Sequence, residues 1–298
     1  MKRRLPNPAV TPAGNALAVL EPIRRLSRDL KKSARLMGRK QARYLTDLYY
    51  EVQEFRKAAG NMERSVSPGE PHEVVDWVFE NSEIIENGIK RALGEFASAW
   101  MPGLWMQSLV GIGPVISAGM LAHLDVRLAE TAGHFWRFAG LDPSVRWEKR
   151  TKRPWNAALK RLCWIAGDCF VKFQGHKDDF YGAFYVARKE LEAKNNERKL
   201  YAEQARASLR EKNFGKETEA RKWYEKDQLP PARIHMRALR WTSKLFLSHL
   251  HHVMYFSYYG TVPPKPYVFD APGDHRHFIE PPNWPFDEGR SLKELLVN

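Results

Sequence analysis

The residue pattern best suited to chemistry is a Gly-x-Gly-Pro sequence formed by Gly111, Ile112, Gly113 and Pro114. Glycine lacks a Cβ, so both glycines permit positive φ and bring the main chain close to a ligand. Pro114 favours the first position of a helix, and the free N–H groups at a helix start attract phosphate. The pattern predicts a helix-hairpin-helix that binds a nucleic-acid oxyanion, with a plain tight turn between helices as the alternative. The residues predicted to contact DNA here are Gly111, Ile112, Gly113 and Val115.

A second candidate site is the basic stretch from Arg146 to Arg161, in which seven cations are opposed by Glu148 alone. Trp147 and Trp155 are interleaved with these cations. Arginine and lysine bind phosphate, while indole rings stack on unpaired bases or anchor the loop. For both tryptophans, packing against the protein is the alternative. The residues predicted to contact DNA in this stretch are Arg146, Lys149, Arg150, Lys152, Arg153, Asn156, Lys160 and Arg161.

The overall charge agrees with a nucleic-acid partner. The 298 residues include 48 lysines and arginines against 35 acidic residues, which gives a net charge of +13. Such a balance favours a polyanion. We expect DNA, either duplex or branched, with structured RNA as an alternative and no membrane partner. The charge is uneven, because residues 1–43 carry +10, residues 44–100 carry −6 and the remainder carries +9; the basic start is either a nucleic-acid contact or a solvated arm.

Metal and cofactor chemistry is poorly supported. Cys163 and Cys169 stand six residues apart in an apolar helical stretch, which favours reduced thiols over a zinc pair. No P-loop, nucleophile elbow or dinucleotide-binding glycine motif occurs, so we expect no cofactor and no metal site. Surface or capping roles are favoured over metal binding for a group of histidines near the end of the chain, namely His235, His249, His251, His252, His275 and His277.

The spacing of apolar residues predicts a mainly α-helical protein, with long charged helices and an irregular tail rich in proline and aromatic residues. No apolar run of eighteen residues and no signal-peptide pattern occurs, so the expected location is cytoplasmic, in association with the nucleoid. The predicted regions are a flexible basic arm at 1–20, a helical region at 21–100, a helix-hairpin-helix core at 101–175, long helices at 176–260 and an irregular tail at 261–298.

Individual helix boundaries follow from glycine and proline. A helix from residue 21 to residue 59 is expected to end at Gly60, and Pro71 is expected to open the next. A long charged helix is predicted from Asp178 to Leu209. A final helix is predicted to begin after Pro230-Pro231 and to end at Gly260.

Four motifs occur in order between residues 107 and 170, at Val110–Pro114, His134–Phe138, Gly140–Pro143 and Trp155–Lys160. In order and spacing they resemble the transposase half of the bridge-RNA-guided insertion-sequence transposases with a DEDD RuvC-like domain. That family has a glycine hairpin, an aromatic-rich helix leading to Gly-Leu-x-Pro, and a basic stretch with Gly-Asn-x-x-Leu-Arg. The resemblance implies a DNA-binding protein from a mobile-element setting.

The sequence departs from this family in two respects. Members begin with a RuvC-like sheet whose acidic residues bind metal, whereas the first hundred residues here have a helical pattern and no Asp at the end of an apolar strand. The nucleophilic serine of the family lies in a Ser-Gly context several residues after Gly-Leu-x-Pro. This chain has no Ser-Gly there, and Ser144, the nearest candidate for a catalytic residue, follows Pro143 directly, where a turn or cap hydroxyl is the simpler interpretation.

Three hypotheses follow. The first is a DNA-binding relative of a mobile-element transposase that contacts the backbone with low sequence specificity and does not cleave strands. The second is an active transposase or recombinase that uses Ser144. The third is an RNA-binding or assembly component, in which the charged helix at 178–209 joins copies of the chain into a homo-oligomer.

Overall fold

The computed structural model describes residues 28–65, 73–215, 217–264 and 278–285. Within these ranges it contains α-helices, one 3-10 helix at Val126–Leu128 and no strand, which confirms the mainly α-helical prediction. The predicted arm at 1–20 and most of the tail after residue 264 lie outside the described residues. The helices are α1 (Arg28–Arg35), α2 (Arg39–Ser65), α3 (Glu73–Ser98), α4 (Met101–Gln107), α5 (Pro114–His123), α6 (Ala132–Phe138), α7 (Ala157–Lys172), α8 (Tyr181–Glu197), α9 (Ala202–Glu211), α10 (Glu219–Glu225) and α11 (Pro231–Tyr259).

Helices α2 and α3 form an antiparallel pair in the first part of the chain. Arg56 on α2 forms an ion pair with the nearly buried Glu86 on α3. The prediction that Gly60 ends the first helix was wrong, because α2 continues to Ser65. A Cβ at Gly60 would lie 3.0 Å from Phe79 Cε2, so this glycine lets α3 approach α2 closely.

The central core is built around α5. Nine of its ten residues are buried, and it packs against α2, α3, α4 and α7. A helix that is apolar on all sides is expected to lie inside a protein. The long helix α11 completes this core through Phe246, Leu247 and Leu250, which are fully buried. Residues from the first helical region, the glycine-rich centre and the last helix thus share one hydrophobic cluster.

The prediction of a single long charged helix from Asp178 to Leu209 was wrong. Helix α8 ends at Glu197, and a separate helix, α9, begins at Ala202. Lys199 at the break has a positive φ of 57°. The buried side chain of Asn196 donates to Leu229 O and accepts from Leu229 N, at 2.9 Å and 2.8 Å. This contact with a segment thirty-three residues away turns the helix end, which no local pattern reveals.

The boundaries of the last helix were predicted correctly. Helix α11 has Pro231 in its first turn and ends at Gly260, whose left-handed φ of 70° caps the C-terminus. Residues 278–285 pack against this helix and α4, since His249 Nε2 lies 2.8 Å from Ile279 O and Trp105 Nε1 donates to Pro282 O at 2.8 Å.

Candidate nucleic-acid interface

The Gly-x-Gly-Pro sequence forms the turn between α4 and α5. Gly111 has a φ of +88°, as predicted for a glycine in this position. Gly113 does not use this freedom, since its φ of −92° and ψ of 179° are those of an ordinary extended N-cap. Ile112 N donates to Leu109 O at 3.1 Å, so Gly111 alone reverses the chain, and Pro114 then opens α5.

The two glycines lie in different surroundings. A Cβ at Gly111 would lie 3.2 Å from Phe173 Cδ2 and 3.3 Å from Cys169 Cβ, so the end of α7 closes this flank of the turn. A Cβ at Gly113 would have no neighbour within 4 Å. The side chains of Ile112 and Val115 are only 4% and 7% exposed, and they belong to the core. Gly111 and Gly113 are both partly exposed, and of the two only Gly113 has open space around its Cα.

Two backbone donors at the start of α5 are left without a protein acceptor. The first intrahelical hydrogen bond runs from Ser117 N to Gly113 O, at 3.0 Å. The N–H groups of Val115 and Ile116 precede it and have no acceptor among the described residues. They are the groups that an anion at a helix start would use.

The basic stretch from Arg146 to Arg161 lies on the surface. All seven of its cations are exposed, and within the described part of the chain none of them forms an ion pair. Glu148, the only carboxylate of the stretch, leaves them uncompensated. Seven unpaired cations on fifteen or so residues produce a local positive potential that attracts a polyanion.

Both tryptophans of this stretch hold the loop in place. Trp147 Nε1 donates to Thr151 O at 2.9 Å, and Arg153 lies over the Trp147 ring at 5.0 Å. Trp155 packs on the backbone of Gly140, where a Cβ would lie 2.6 Å from the indole, and Lys160 Nζ lies over the Trp155 ring, 4.3 Å from its centroid. Anchoring and packing, the alternatives to base stacking, are thus the roles these indoles have in the structure.

Asn156 was predicted to contact DNA, and the structure uses its side chain locally. Its Oδ1 accepts from Leu159 N at 3.0 Å and so caps α7. Its Nδ2 lies 3.1 Å from Nδ1 of the buried His123. Burial, with Arg43 nearby, lowers the pKa of His123. Asn156 therefore fixes the start of the helix that carries Lys160 and Arg161.

Helix α7 separates the two candidate sites. Lys160 and Arg161 lie in its first turns, whereas Cys169 and Phe173, which contact Gly111, lie at its end. Nine residues of helix between Lys160 and Cys169 span roughly 14 Å. The structure therefore does not bring the glycine turn and the basic stretch into one pocket.

Cations of α11 extend the basic stretch, and the sequence reasoning missed them. Burial, together with the guanidinium groups of Arg240 and Arg153, lowers the pKa of Lys160, which indicates that Arg240 lies close to it. Lys244, one turn further on, lies over the Trp136 ring at 4.1 Å. The signal was available, since basic residues recur on one face of a helix at i, i+4, i+7 and i+11. These residues are Arg233, Arg237, Arg240 and Lys244.

Ser144 lies in a turn. Its hydroxyl donates to Asp142 Oδ1 at 2.7 Å, and its backbone N–H donates to the same oxygen at 2.9 Å. These hydrogen bonds lower the pKa of Asp142. A carboxylate with a lowered pKa is a weak proton acceptor, so the pair is suited to holding a turn.

The surface or capping role expected for the histidines was wrong for His249 and His251, which are buried. The Tyr181 hydroxyl lies 2.8 Å from His249 Nδ1, and burial lowers the pKa of His249 to about 4. Nε2 of His251 lies 2.8 Å from Ala129 O. Neutral imidazoles satisfy buried acceptors in this core. His275 and His277 lie outside the described residues.

The two cysteines are free thiols, and Cys163 is buried, which raises its pKa to about 12. The described residues contain no group of three or more histidine, cysteine, aspartate or glutamate side chains with the arrangement of a metal site. None of the described helices combines the length and apolar composition that crossing a bilayer requires.

The comparisons with known proteins point to one family. Residues 105–181 match the model of the transposase IS116/IS110/IS902 family. This segment runs from α4 to the start of α8, and it contains both the glycine turn and the basic stretch, although it is only about a quarter of the chain. Comparison with curated proteins and with solved structures gave no significant match. The segment that carries both candidate sites is therefore transposase-like, and the protein is related in this part to the transposases of mobile elements.

Proposed function

We propose that this protein binds DNA through the phosphate backbone, with little sequence preference, as a relative of mobile-element transposases that does not cleave strands. The observation that carries the proposal is the cluster of seven exposed cations without ion pairs at residues 146–161, inside the transposase-like segment. Arg240 adds a further cation beside Lys160.

Low sequence specificity follows from the chemistry of the surface. Lysine and arginine that neutralise phosphates release condensed counterions, and this contribution is the same for any sequence. The loop from Arg146 to Arg153 is held by the Trp147 hydrogen bond and by cation–π contacts, not by carboxylates. The cations are thus positioned without being neutralised, which favours backbone contacts over base reading.

The glycine turn is proposed as a second and weaker phosphate contact. The N–H groups of Val115 and Ile116 have no acceptor among the described residues, and the open side of Gly113 leaves room for an anion. The separation of roughly 14 Å between Lys160 and Cys169 along α7 equals the rise of about four phosphates along one DNA strand. One duplex is therefore long enough to reach both places.

The absence of strand cleavage is proposed from Ser144. Its hydroxyl already donates to Asp142, and the lowered pKa of that carboxylate makes it a poor base. We expect no covalent protein–DNA adduct on duplex, forked or four-way-junction DNA, and equal DNA affinity for the protein and for Ser144→Ala. An adduct that disappears in Ser144→Ala would instead establish an active recombinase.

The binding surface is tested by reversing charge in the loop. The triple variant Arg150→Glu, Lys152→Glu and Arg153→Glu should lose at least about a hundred-fold in affinity for a short duplex, and its affinity should depend less on salt between about 50 and 200 mM. A matched control reverses three exposed cations of the α9–α10 region, Arg210→Glu, Lys212→Glu and Lys226→Glu, with the same change in net charge.

The outcomes discriminate between partners. Equal losses in the two triple variants would mean that only the overall charge matters, and the proposed surface would be wrong. Tighter binding of structured RNA than of duplex DNA at equal salt would replace DNA by RNA as the partner. Circular dichroism of both variants checks that helix content is unchanged.

A further inference from the structure

We propose that the outer face of α7 binds a single strand of DNA, with an unpaired base stacked on Trp164 and the adjoining phosphates on Lys160, Arg161 and Arg240. This inference rests on the proposed function, because it names the form of DNA that the basic surface recognises, namely DNA with an unpaired segment.

Trp164 is an exposed indole that the protein itself does not use. Its side chain is 51% exposed, and it has no hydrogen-bond, aromatic or cation–π partner among the described residues. Trp147 and Trp155 differ from it, because a cation covers each of their rings. Trp164 therefore offers the free aromatic face that base stacking requires.

Cations lie next to Trp164 on the same face of α7. Lys160 and Arg161 precede it by four and three residues, which places them one turn away on the helix surface, and both are exposed. Arg161 also lies over the Tyr50 ring at 5.0 Å, and Lys160 lies on the side that faces α11. The indole thus lies one turn along the helix from two positive charges.

The packing of α7 on α11 places Arg240 at the same height along this helix pair as Trp164. Ser243 Oγ donates to Cys163 O at 3.2 Å, and a Cβ at Gly167 would lie 3.0 Å from Leu239 Cδ1. The two helices are therefore antiparallel. Trp164 lies between the two contact points on one helix, and Arg240 lies between them on the other.

Helix α11 continues the positive face away from Trp164. Arg233 and Arg240 are exposed and form no ion pair within the described residues, while Arg237 between them is paired with Glu192. Burial, together with the nearby guanidinium groups of Arg233 and Arg237, lowers the pKa of Arg240, so these like charges are held together in the free protein. The seven residues from Arg233 to Arg240 span roughly 10 Å, which is the rise of about three phosphates.

The surroundings favour a nucleic acid over a protein partner. The residues one turn before Trp164 are charged, whereas an apolar docking site would surround the indole with apolar side chains. Asp168, one turn after it, is compensated by Lys172 at 2.7 Å. A polyanion with aromatic bases matches an indole flanked by cations.

The test compares Trp164→Ala with Trp77→Ala, a matched control whose side chain is 49% exposed and lies on the acidic helix α3. The probes are a thymidine oligonucleotide of about fifteen nucleotides and a blunt duplex of the same length. We expect Trp164→Ala to bind the oligonucleotide about ten-fold more weakly and the duplex within about twofold. Trp164→Phe should recover most of the affinity, because it keeps an aromatic face, and Trp77→Ala should bind like the unmodified protein.

Each other result overturns the inference. Equal affinity of Trp164→Ala and Trp77→Ala for the oligonucleotide would exclude stacking on Trp164. Equal losses for duplex and oligonucleotide, without recovery in Trp164→Phe, would assign Trp164 a structural role. If the unmodified protein binds the duplex, only this inference fails in those two cases. If it binds neither probe, the proposed function fails as well.

Discussion

The glycine turn and the basic stretch lie at opposite ends of α7, and both have residue types typical of phosphate contact. The glycine turn is mostly interior: Ile112 and Val115 are buried, and Phe173 lies against Gly111. In the basic stretch all seven cations are exposed, and its tryptophans are engaged by its own cations. The two regions match the same family model, but they differ in what they present to solvent.

This difference shows that a glycine has two separate uses. At Gly111 the missing Cβ permits a positive φ and admits the end of α7, which is a packing requirement. At Gly113 the backbone is ordinary and the space is open, so the proposed phosphate contact is assigned to that position. The cations at 146–161 remain at the surface whichever ring they pack on, because burial of an unpaired charge is costly.

Acid should have the largest effect, and it should act on the buried core at His249 rather than on either of the two regions. Burial lowers the pKa of His249 to about 4, whereas an unfolded histidine has a pKa of about 6.5. The unfolded chain therefore binds more protons between those values, and the folded state should lose stability as pH falls from about 6.5 to 4, by roughly 3 kcal/mol in full.

Urea unfolding at pH 7.5 and pH 4.5 measures this effect. The loss of stability on acidification should shrink in His249→Gln, which cannot be protonated, although that variant is less stable at both pH values. His176→Gln, at an exposed position, is the control. An unchanged pH dependence in His249→Gln would contradict a neutral buried imidazole.

Substitution of the two glycines should give unequal losses of stability. Gly111→Ala places a Cβ at positive φ and within 3.3 Å of Cys169 and Phe173, which should lower the free energy of unfolding by about 1–3 kcal/mol. Gly113→Ala meets open space at an ordinary φ and should change it by less than about 0.5 kcal/mol. Equal losses in urea titrations would mean that the two positions do not differ as described.

A charge placed at the open side of the turn tests whether that region binds DNA at all. Gly113→Glu should weaken duplex binding about five-fold, because its carboxylate would lie beside the N–H groups of Val115 and Ile116. Gly113→Gln is the uncharged control. Identical affinities for the two variants in anisotropy titrations would restrict the interface to the basic stretch and α11.

The smallest expected effect on DNA binding is that of removing Arg240, the cation by which α11 extends the basic stretch. Arg240→Ala should weaken duplex binding about threefold and lower the magnitude of the salt slope by about one, as expected for one lost phosphate contact. Lys226→Ala, an exposed cation near α10, is the comparison. Equal slopes for both variants would remove Arg240 from the interface.

Parts of the fold were predictable where the cause is local. The limits of α11 follow from Pro231 and Gly260, which act within one turn of the chain. The break between α8 and α9 was not predictable, because the bonds that turn it join Asn196 to Leu229. The predicted end at Gly60 failed for the same reason, since that glycine serves a neighbouring helix rather than its own terminus.

The residues of the candidate site were likewise predictable only where their placement has a local cause. The cations at 146–161 were identifiable from residue type, because an unpaired charge remains at the surface in almost any fold. The choice among Trp147, Trp155 and Trp164 as a stacking surface was not identifiable, because it depends on which ring another side chain covers.

The sequence by itself determined the helical class, the position of the basic stretch and the ends of the last helix. These are properties of residues and their near neighbours along the chain. Only the tertiary structure decided which glycine faces solvent, which histidines are buried and which indole is free, and it alone brought Arg240 to Lys160. Burial and proximity arise from segments that are distant in sequence, so no spacing pattern within one segment contains them.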